Sequence, residues 1–154
     1  MGPAVRAWRL AGVTAGAVVV IDQATKQLVV ATIDRGSETS IFFGIDLTYV
    51  RNKGVAFGAF GGSTALVTAL TLGAVGLLAI YFALNTSKAY LWLPFGAVAG
   101  GALGNLADRA RDGSVVDFID PLLWPAFNLA DVSIVAGILG LLYVIEGPSR
   151  KKRQ

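Results

Sequence analysis

The segment from residue 100 to residue 131 holds the side chains best suited to chemistry in an otherwise apolar chain. Five of the ten acidic residues fall within it. Apolar segments flank these carboxyl groups, and an ionisable group near lipid costs enough free energy to make it a candidate for function. The five are Asp108, Asp112, Asp117, Asp120 and Asp131.

We interpret Asp117 and Asp131 as a catalytic pair. Two carboxyl groups that lie close together share one proton, because both cannot ionise cheaply. The ionised member can take a proton from water while the protonated member donates to a carbonyl oxygen, which is the chemistry of aspartic peptide hydrolysis. On the residues alone, a structural hydrogen bond from Asn128 or Asn105 to Asp131 is an alternative to catalysis.

The composition removes several other kinds of catalysis. The chain contains neither cysteine nor histidine, so it has no disulfides, no thiolate nucleophile, no Ser-His pair and none of the usual zinc ligand sets. A Ser-Lys pair would remain available through Ser133 and Lys26, but neither residue lies in a distinguishing context. Carboxylates are therefore the favoured catalytic groups.

The elements that must position these groups are membrane spans. The chain has 154 residues, of which 55% are hydrophobic and 15% charged, and its mean hydropathy is +0.65, a balance far from that of soluble domains. Apolar segments long enough to cross a bilayer cover residues 10–30, 66–84, 89–107 and 127–145. We expect one all-α membrane domain over residues 1–154, with four transmembrane helices.

The first apolar segment could also be read as a cleavable signal peptide. No clear small-x-small cleavage site follows it, and polar residues continue its pattern, so we expect a retained span. Asp22 and Lys26 lie four residues apart on one helix face, where an ion pair lowers the cost of burying them.

The loops at residues 31–65 and 108–126 should lie outside the bilayer. Residues 41–50 are prone to β structure, so we expect a small extracytoplasmic sheet there. We interpret residues 110–126 as a polar loop with a turn at Asp112 and Gly113. A loop would leave Asp117 mobile, so we expect substrate binding to complete the pair.

Two further acids of this region are expected to be structural. Asp108 precedes Arg109 at a helix end, where we expect a local ion pair. Asp120 precedes Pro121 and is expected to form a turn.

A stripe of small residues marks the third span. Gly96, Gly100 and Gly104 recur at every fourth position. Such a stripe allows close approach of another helix, because helices in lipid associate through packing.

Basic residues predict the orientation. Arg6 and Arg9 near one end, Lys88 in the short turn and the tail at residues 148–154 would all lie on the same side of four spans. The positive-inside rule makes that side cytoplasmic, and it explains the net charge of +3 better than nucleic-acid binding does. The polar residues then converge near the outer face from three spans and two loops: Asp22, Lys26, Asn52, Asn105, Asp108, Arg109, Asp117, Asn128 and Asp131.

With these residues in view, the chain resembles the prokaryotic lipoprotein signal peptidases, also called signal peptidase II. Five short blocks occur in the family's order across the whole chain, and the set is specific although each block alone is weak. They are DQATK from Asp22, NKGVAFG from Asn52, GGALGNLADR from Gly100, VVDF around Asp117 and FNLAD ending at Asp131.

The resemblance implies an aspartic endopeptidase of the bacterial cytoplasmic membrane. It would remove signal peptides from prolipoproteins by cutting before the lipid-modified cysteine, with Asp117 and Asp131 as the catalytic dyad. The family needs no metal or organic cofactor, is blocked by globomycin, and is expected to act as a monomer surrounded by lipid. It also implies a membrane-lying helix beside the sheet within residues 34–62. Residues implied to contact substrate or support the site are Asp22, Lys26, Asn52, Gly54, Asn105, Asp108, Arg109, Asn128 and Ala130.

Two other classes of function fit the sequence less well. A small carrier would need its carboxylate near the bilayer midplane, whereas every candidate here lies toward one side. A non-catalytic assembly subunit held by the glycine stripe would leave Asp117 without a role.

Overall fold

The structure, a computed structural model, describes residues 2–54 and 63–146 and contains four long helices and one small sheet. The expected helical fold with a small sheet is confirmed. The helices are α1 (Pro3–Thr32), α2 (Thr64–Leu84), α3 (Trp92–Asp112) and α4 (Leu129–Glu146). The strands are β1 (Glu38–Phe42), β2 (Ile45–Asn52) and β3 (Val115–Pro121).

Three helices, α1, α2 and α4, are long and apolar enough to cross a membrane. Helix α3 is less apolar because its sequence combines glycines with Asn105, Asp108 and Arg109. It packs against α1, α2 and α4. A helix enclosed by three others touches less lipid and therefore needs fewer apolar residues.

The glycine stripe of α3 packs on α1, as expected. A methyl group added at Gly100 would lie 2.7 Å from the carbonyl oxygen of Ala15, and one at Gly96 would lie 2.7 Å from that of Ala11. Gly101, on another face, lies directly against the carbonyl oxygen of Ala130 at the start of α4. The small residues of α3 therefore bring α1 and α4 close to the same helix.

The sheet is antiparallel in the order β1-β2-β3. The interpretation of residues 110–126 as a polar loop was wrong in its central part, because these residues form β3. Asp117 pairs with Val50 of β2, and Asp120 pairs with Asp46 instead of forming a turn. Asp117 is therefore held on a strand and is not carried by a mobile loop.

The turn predicted at Asp112 and Gly113 ends α3. Gly113 has a φ of 66°, the left-handed conformation common after helix ends, and its N–H donates to the carbonyl of Arg109. This turn directs the chain into β3 two residues later. Much of the expected membrane-lying helix falls on residues 55–62, and the basic tail falls on residues 148–154. Both ranges lie outside the described residues.

Candidate active site

Asn128 is the residue around which the two candidate carboxyl groups are arranged. It immediately precedes α4, and its side-chain oxygen accepts a hydrogen bond of 3.1 Å from the N–H of Asp131. In return, Asp131 Oδ2 accepts a bond of 3.2 Å from the Asn128 N–H. This reciprocal arrangement is a capping box, with an Asn-x-x-Asp sequence in place of the usual Ser-x-x-Glu. The hydrogen bonds that cap the start of α4 therefore also fix the position of the Asp131 carboxyl group.

The side-chain amide of Asn128 also reaches the second carboxyl group. Its Nδ2 donates to Asp117 Oδ1 at 2.7 Å, and Asn52 Nδ2 donates to Asp117 Oδ2 at 2.9 Å. Asp117 is only 2% exposed. One asparagine thus contacts both carboxyl groups, through its side chain on one side and its backbone on the other.

Burial changes the acidity of Asp117. Desolvation raises the pKa of its carboxyl group to about 6, and repulsion by Asp131 adds to this effect. Hydrogen bonds from Asn52 and Asn128, and the charge of Lys26, act in the opposite direction by lowering the pKa. The Asp117 carboxyl group is therefore partly protonated near neutral pH.

Asn105 links Asp131 to the interior of the bundle. Its Nδ2 donates to Asp131 Oδ1 at 2.8 Å, while its Oδ1 accepts from Lys26 Nζ at 2.8 Å and from Asn128 Nδ2 at 3.2 Å. Asp131 thus accepts hydrogen bonds from both Asn128 and Asn105, the two partners that the structural alternative to catalysis named. We call the five residues Asn52, Asn105, Asp117, Asn128 and Asp131 the carboxylate site.

A buried ion network lies beneath the carboxylate site. Lys26 Nζ lies 2.9 Å from Asp22 Oδ2 and 2.9 Å from Asp108 Oδ2, so the expected Asp22–Lys26 pair is confirmed. With Asn105 these contacts engage all three ammonium protons of Lys26. The hydroxyl of Ser133 donates to the Leu129 carbonyl. A Ser-Lys catalytic pair therefore finds no support.

Asp22 also fastens α4 to α1. Its Oδ1 accepts a bond of 3.0 Å from the N–H of Ala130, one of the N–H groups that the first turn of a helix leaves without a helical partner. Its Oδ2 would lie 2.5 Å from a methyl group added at Gly104. The absence of a side chain at Gly104 makes room for this carboxylate, and Asp22 in turn positions the start of α4.

Asp108 does not form the local pair expected with Arg109. Its partners are Lys26 and Arg111, whose Nη2 lies 3.1 Å from Asp108 Oδ1, and its Oδ2 accepts from the Val116 N–H at 3.4 Å. Adjacent helical residues point in different directions, whereas residues three apart share a face. Asp108 thus joins α3 to α1 and to β3.

Gln23 and Arg111 belong to the ion network but were not predicted from the sequence. Gln23 Nε2 donates to Asp108 Oδ1 at 2.9 Å, and its Oε1 accepts from Arg111 Nη2 at 2.7 Å. A polar residue beside Asp22 within a span, and a basic residue three positions after Asp108, are the signals that could have identified them.

Arg109 lies beside the carboxylate site without a direct ion pair of its own among the described residues. Its positive charge interacts most strongly with Asp131, then with Asp117 and Asp108. Within residues 2–54 and 63–146, its Nε is the one buried side-chain nitrogen or oxygen without a hydrogen-bond partner. Arg109 therefore offers an unused donor next to two carboxyl groups.

Gly54 reaches the site through Asn52. Its N–H donates to Asn52 Oδ1 at 2.8 Å, which leaves the amide nitrogen of Asn52 directed at Asp117. All eleven residues predicted for the site are thus connected by hydrogen bonds, ion pairs or close charge interactions. Among the described residues no cluster of three potential metal ligands occurs.

An apolar groove opens beside Asp131. It has a volume of about 420 Å³ and is lined by Trp124, Phe127 and the side of α4 that carries Val132, Val135 and Leu139. Asp131 lies at its polar end. A ligand with an apolar portion could therefore lie along α4 with its polar group at the carboxylate site.

The fold and the site define an integral membrane protein with a two-carboxylate polar site at one end of its helical bundle. A model of the family described as signal peptidase (SPase) II matches residues 14–146. The chain belongs to the signal peptidase II family, which is a family of proteases.

Relatives and solved structures agree with this assignment. The chain is 42% identical to the lipoprotein signal peptidase of Pelotomaculum thermopropionicum, covering 87% of this chain and 90% of the relative. It is 43% identical to that of Syntrophomonas wolfei, covering 88% and 93%. A solved structure of a bacterial membrane enzyme superimposes with a TM-score of 0.79 at 29% identity, covering 94% of this chain and 92% of that one.

Proposed function

We propose that this protein is an aspartic endopeptidase that removes signal peptides from bacterial prolipoproteins, with Asp117 and Asp131 as its catalytic dyad. The observation that carries the proposal is the double contact of Asn128. It donates to both carboxyl groups, one of which has a pKa raised to about 6. Two acids held by a common donor, one of them partly protonated, are equipped for general acid–base catalysis.

The two acids have different roles in this mechanism. Asp131 lies in the first turn of α4, where the Asn128 N–H and the Asn105 side-chain amide hold its carboxyl group in place. It accepts a proton from the attacking water. Asp117, protonated and desolvated, donates its proton to the carbonyl oxygen of the scissile peptide as the tetrahedral intermediate forms.

The names of the relatives and the groove beside the carboxylate site support the proposal that the substrate is lipid-modified. The relatives named lipoprotein signal peptidases act, by that name, on lipoprotein signal peptides. In this chain the apolar groove ends at Asp131 and lies along a membrane-spanning helix. We assign this groove to the apolar part of the substrate, and cleavage to the peptide bond before the diacylglyceryl-modified cysteine.

The proposal includes the expectations that follow from the resemblance. The enzyme lies in the cytoplasmic membrane with both termini in the cytoplasm, and its site is near the outer face. It acts as a monomer without a metal or organic cofactor, and globomycin-type compounds inhibit it.

Substitution of each acid tests the dyad. Asp117→Asn and Asp131→Asn should each lower the hydrolysis of a lipidated prolipoprotein peptide by at least about a thousandfold, because each removes one proton-transfer group. The matched control is Asp120→Asn, which changes a carboxyl group of the same strand, paired with Asp46 outside the site. Thermal melting in detergent would establish that all three variants fold. Near-native hydrolysis by a folded Asp117→Asn or Asp131→Asn variant would refute the dyad.

A further inference from the structure

A second cavity lies at the opposite end of the bundle from the carboxylate site. It has a volume of about 790 Å³ and is lined by the first turns of α1 and by the turn between α2 and α3. Arg6, at its wall, precedes Asp22 by 16 residues of the same helix, which corresponds to roughly 24 Å along the axis. The cavity is therefore separate from the site that cleaves peptides, and the proposed function does not use it.

The polar side chains that line this cavity are suited to binding an anion. Arg6 and Lys88 line it together with the hydroxyl groups of Thr86 and Ser87. Neither cation forms an ion pair with a carboxylate of residues 2–54 or 63–146. Two positive charges and two hydroxyl donors thus line one cavity without a neutralising acid from that part of the chain.

Lys88 is held in position. Its Nζ donates to the hydroxyl of Tyr81 at 2.9 Å and lies 5.3 Å from the centre of the Tyr81 ring. Both contacts are with an aromatic side chain, and neither supplies a carboxylate. These contacts hold the exposed ammonium group of Lys88 at the wall of the cavity.

The aromatic residues that line the cavity are of the kind found at a membrane interface. Tyr90 and Trp92 line the cavity, and such amphipathic rings concentrate at the level of lipid headgroups. Tyr90 has a φ of 63°, an uncommon backbone conformation for a residue other than glycine. In this conformation Tyr90 lines the cavity while the next residue, Leu91, is buried in the core.

The surface beside the cavity continues along α1 with alternating basic and apolar residues. A smaller cavity of about 260 Å³ shares Arg6 and Leu10 with the larger one and extends to Arg9 and Val13. Val13 is 71% exposed on a helix that crosses the membrane. A ligand that occupied both cavities would have a charged head between the helices and an apolar tail against α1.

We propose that the larger cavity binds the headgroup of an anionic phospholipid, with its phosphate between Arg6 and Lys88. Basic pockets between transmembrane helices at this level suit acidic headgroups, and the adjoining surface at Leu10 and Val13 receives an acyl chain. The bound lipid would join the start of α1 to the turn between α2 and α3. It would thereby stabilise the end of the bundle that lies away from the carboxylate site.

Native mass spectrometry of the full chain in detergent tests this proposal. The protein would be titrated with phosphatidylglycerol, with phosphatidylcholine of the same acyl chains, and with inorganic phosphate. We expect one phosphatidylglycerol to be retained in preference to phosphatidylcholine, and no comparable binding of phosphate. Arg6→Gln and Lys88→Gln should each weaken phosphatidylglycerol binding roughly fivefold, and the double variant about thirtyfold.

Matched variants separate this site from general charge effects. Arg35→Gln with Lys53→Gln removes two basic residues from the part of the chain near the sheet and should leave lipid retention unchanged. Arg6→Lys keeps the charge and should retain most of the binding. Phosphatidylglycerol should also raise the melting temperature of the native chain but not that of the double variant.

Several results would overturn the proposal. They are equal retention of the two phospholipids, undiminished phosphatidylglycerol binding by the double variant, and equal loss in the Arg35 and Lys53 control. Binding of inorganic phosphate as tight as that of phosphatidylglycerol would identify a free anion site instead. If the double variant does not fold, the single Arg6→Gln variant decides between these outcomes.

Discussion

At the residue scale, the three asparagines of the carboxylate site make different contacts. Asn128 contacts both acids, Asn105 connects Asp131 to Lys26, and Asn52 contacts Asp117. Amides suit these positions because each supplies donors and an acceptor without adding charge. They can therefore orient the two carboxyl groups without adding a charge to the site.

Asn52 lowers the pKa of Asp117 through a hydrogen bond that opposes the larger effect of burial. Its amide stabilises the ionised form, so Asn52→Ala should raise the pKa of Asp117 above the value of about 6. Under the proposed mechanism the protonated form is active, so the alkaline limb of kcat/KM should move to higher pH. The measurement is the pH profile of kcat/KM with a lipidated peptide.

The matched control for this experiment is Asn85→Ala. Asn85 donates to the Tyr81 carbonyl in the turn between α2 and α3, remote from the carboxylate site. Asn85→Ala should leave the alkaline limb of kcat/KM at the same pH. If the alkaline limb of the Asn52→Ala variant stays at the same pH or moves to lower pH, the role given to Asp117 is contradicted.

Asp108 should matter more for stability than for chemistry. Asp108→Asn removes a carboxylate that contacts Lys26, Arg111 and Gln23, and leaves a buried ammonium group with one acid fewer. Breaking a buried ion pair in this way costs about 3 kcal/mol. We expect a clearly lower melting temperature in detergent, with the peptidase activity of the folded fraction reduced only a few fold. Normal melting combined with lost hydrolysis would reverse this assignment.

At the scale of elements, α3 is the helix that holds the others in place. Its glycines lie against α1 on one face and against α4 on another, and it ends at Asp112, three residues before β3 begins. The carboxylate site receives residues from α3, α4, β2 and β3, and Lys26 of α1 supports it. The close approach of helices at α3 therefore determines the geometry of the site.

Gly104→Ala tests this dependence. The added methyl group would lie 2.5 Å from Asp22 Oδ2, so the carboxylate that binds the Ala130 N–H must move. We expect both the melting temperature and kcat to fall. The control is Gly76→Ala on α2, where no atom lies within 4 Å of the added methyl group. That variant should be unchanged or more stable by about 0.5–1 kcal/mol. Equal effects of the two substitutions would contradict the packing argument.

The sequence predicted the helices and the members of the site better than it predicted β3 and its contacts. Long apolar segments identify spans locally, and the depth of polar residues within them predicted the convergence of Asp22, Asn105 and Asp131. Strand β3 depends on pairing with β2, so Asp117 meets Val50 from a distant part of the chain. Local patterns carry little information about such a partner. For the same reason the contact between Asp108 and Lys26 was not predicted.

At the scale of the whole molecule, the two polar regions lie at opposite ends of the bundle. The carboxylate site lies beside the sheet, whereas Arg6 and Lys88 line the cavity at the other end. The basic residues predict that the second end faces the cytoplasm. The sheet and the carboxylate site would then lie at the outer face.

Single cysteines test this orientation without interference, because the native chain has none. Ser40→Cys places an exposed thiol on β1, and Ser87→Cys places one in the turn between α2 and α3. In intact spheroplasts a membrane-impermeant maleimide should label the first thiol and not the second. After permeabilisation it should label both. The opposite pattern would invert the topology.

The capping box at the start of α4 has a consequence for when activity arises. Asn128 and Asp131 lie at the start of the last helix in the described chain, and Asn128 meets Asp117 only when this start has docked against Asp22 and β3. During synthesis the earlier helices can enter the bilayer while the acids are still apart. Hydrolysis would therefore begin only after the final helix has docked, so that the nascent chain and its neighbours are not exposed to a partly built peptidase.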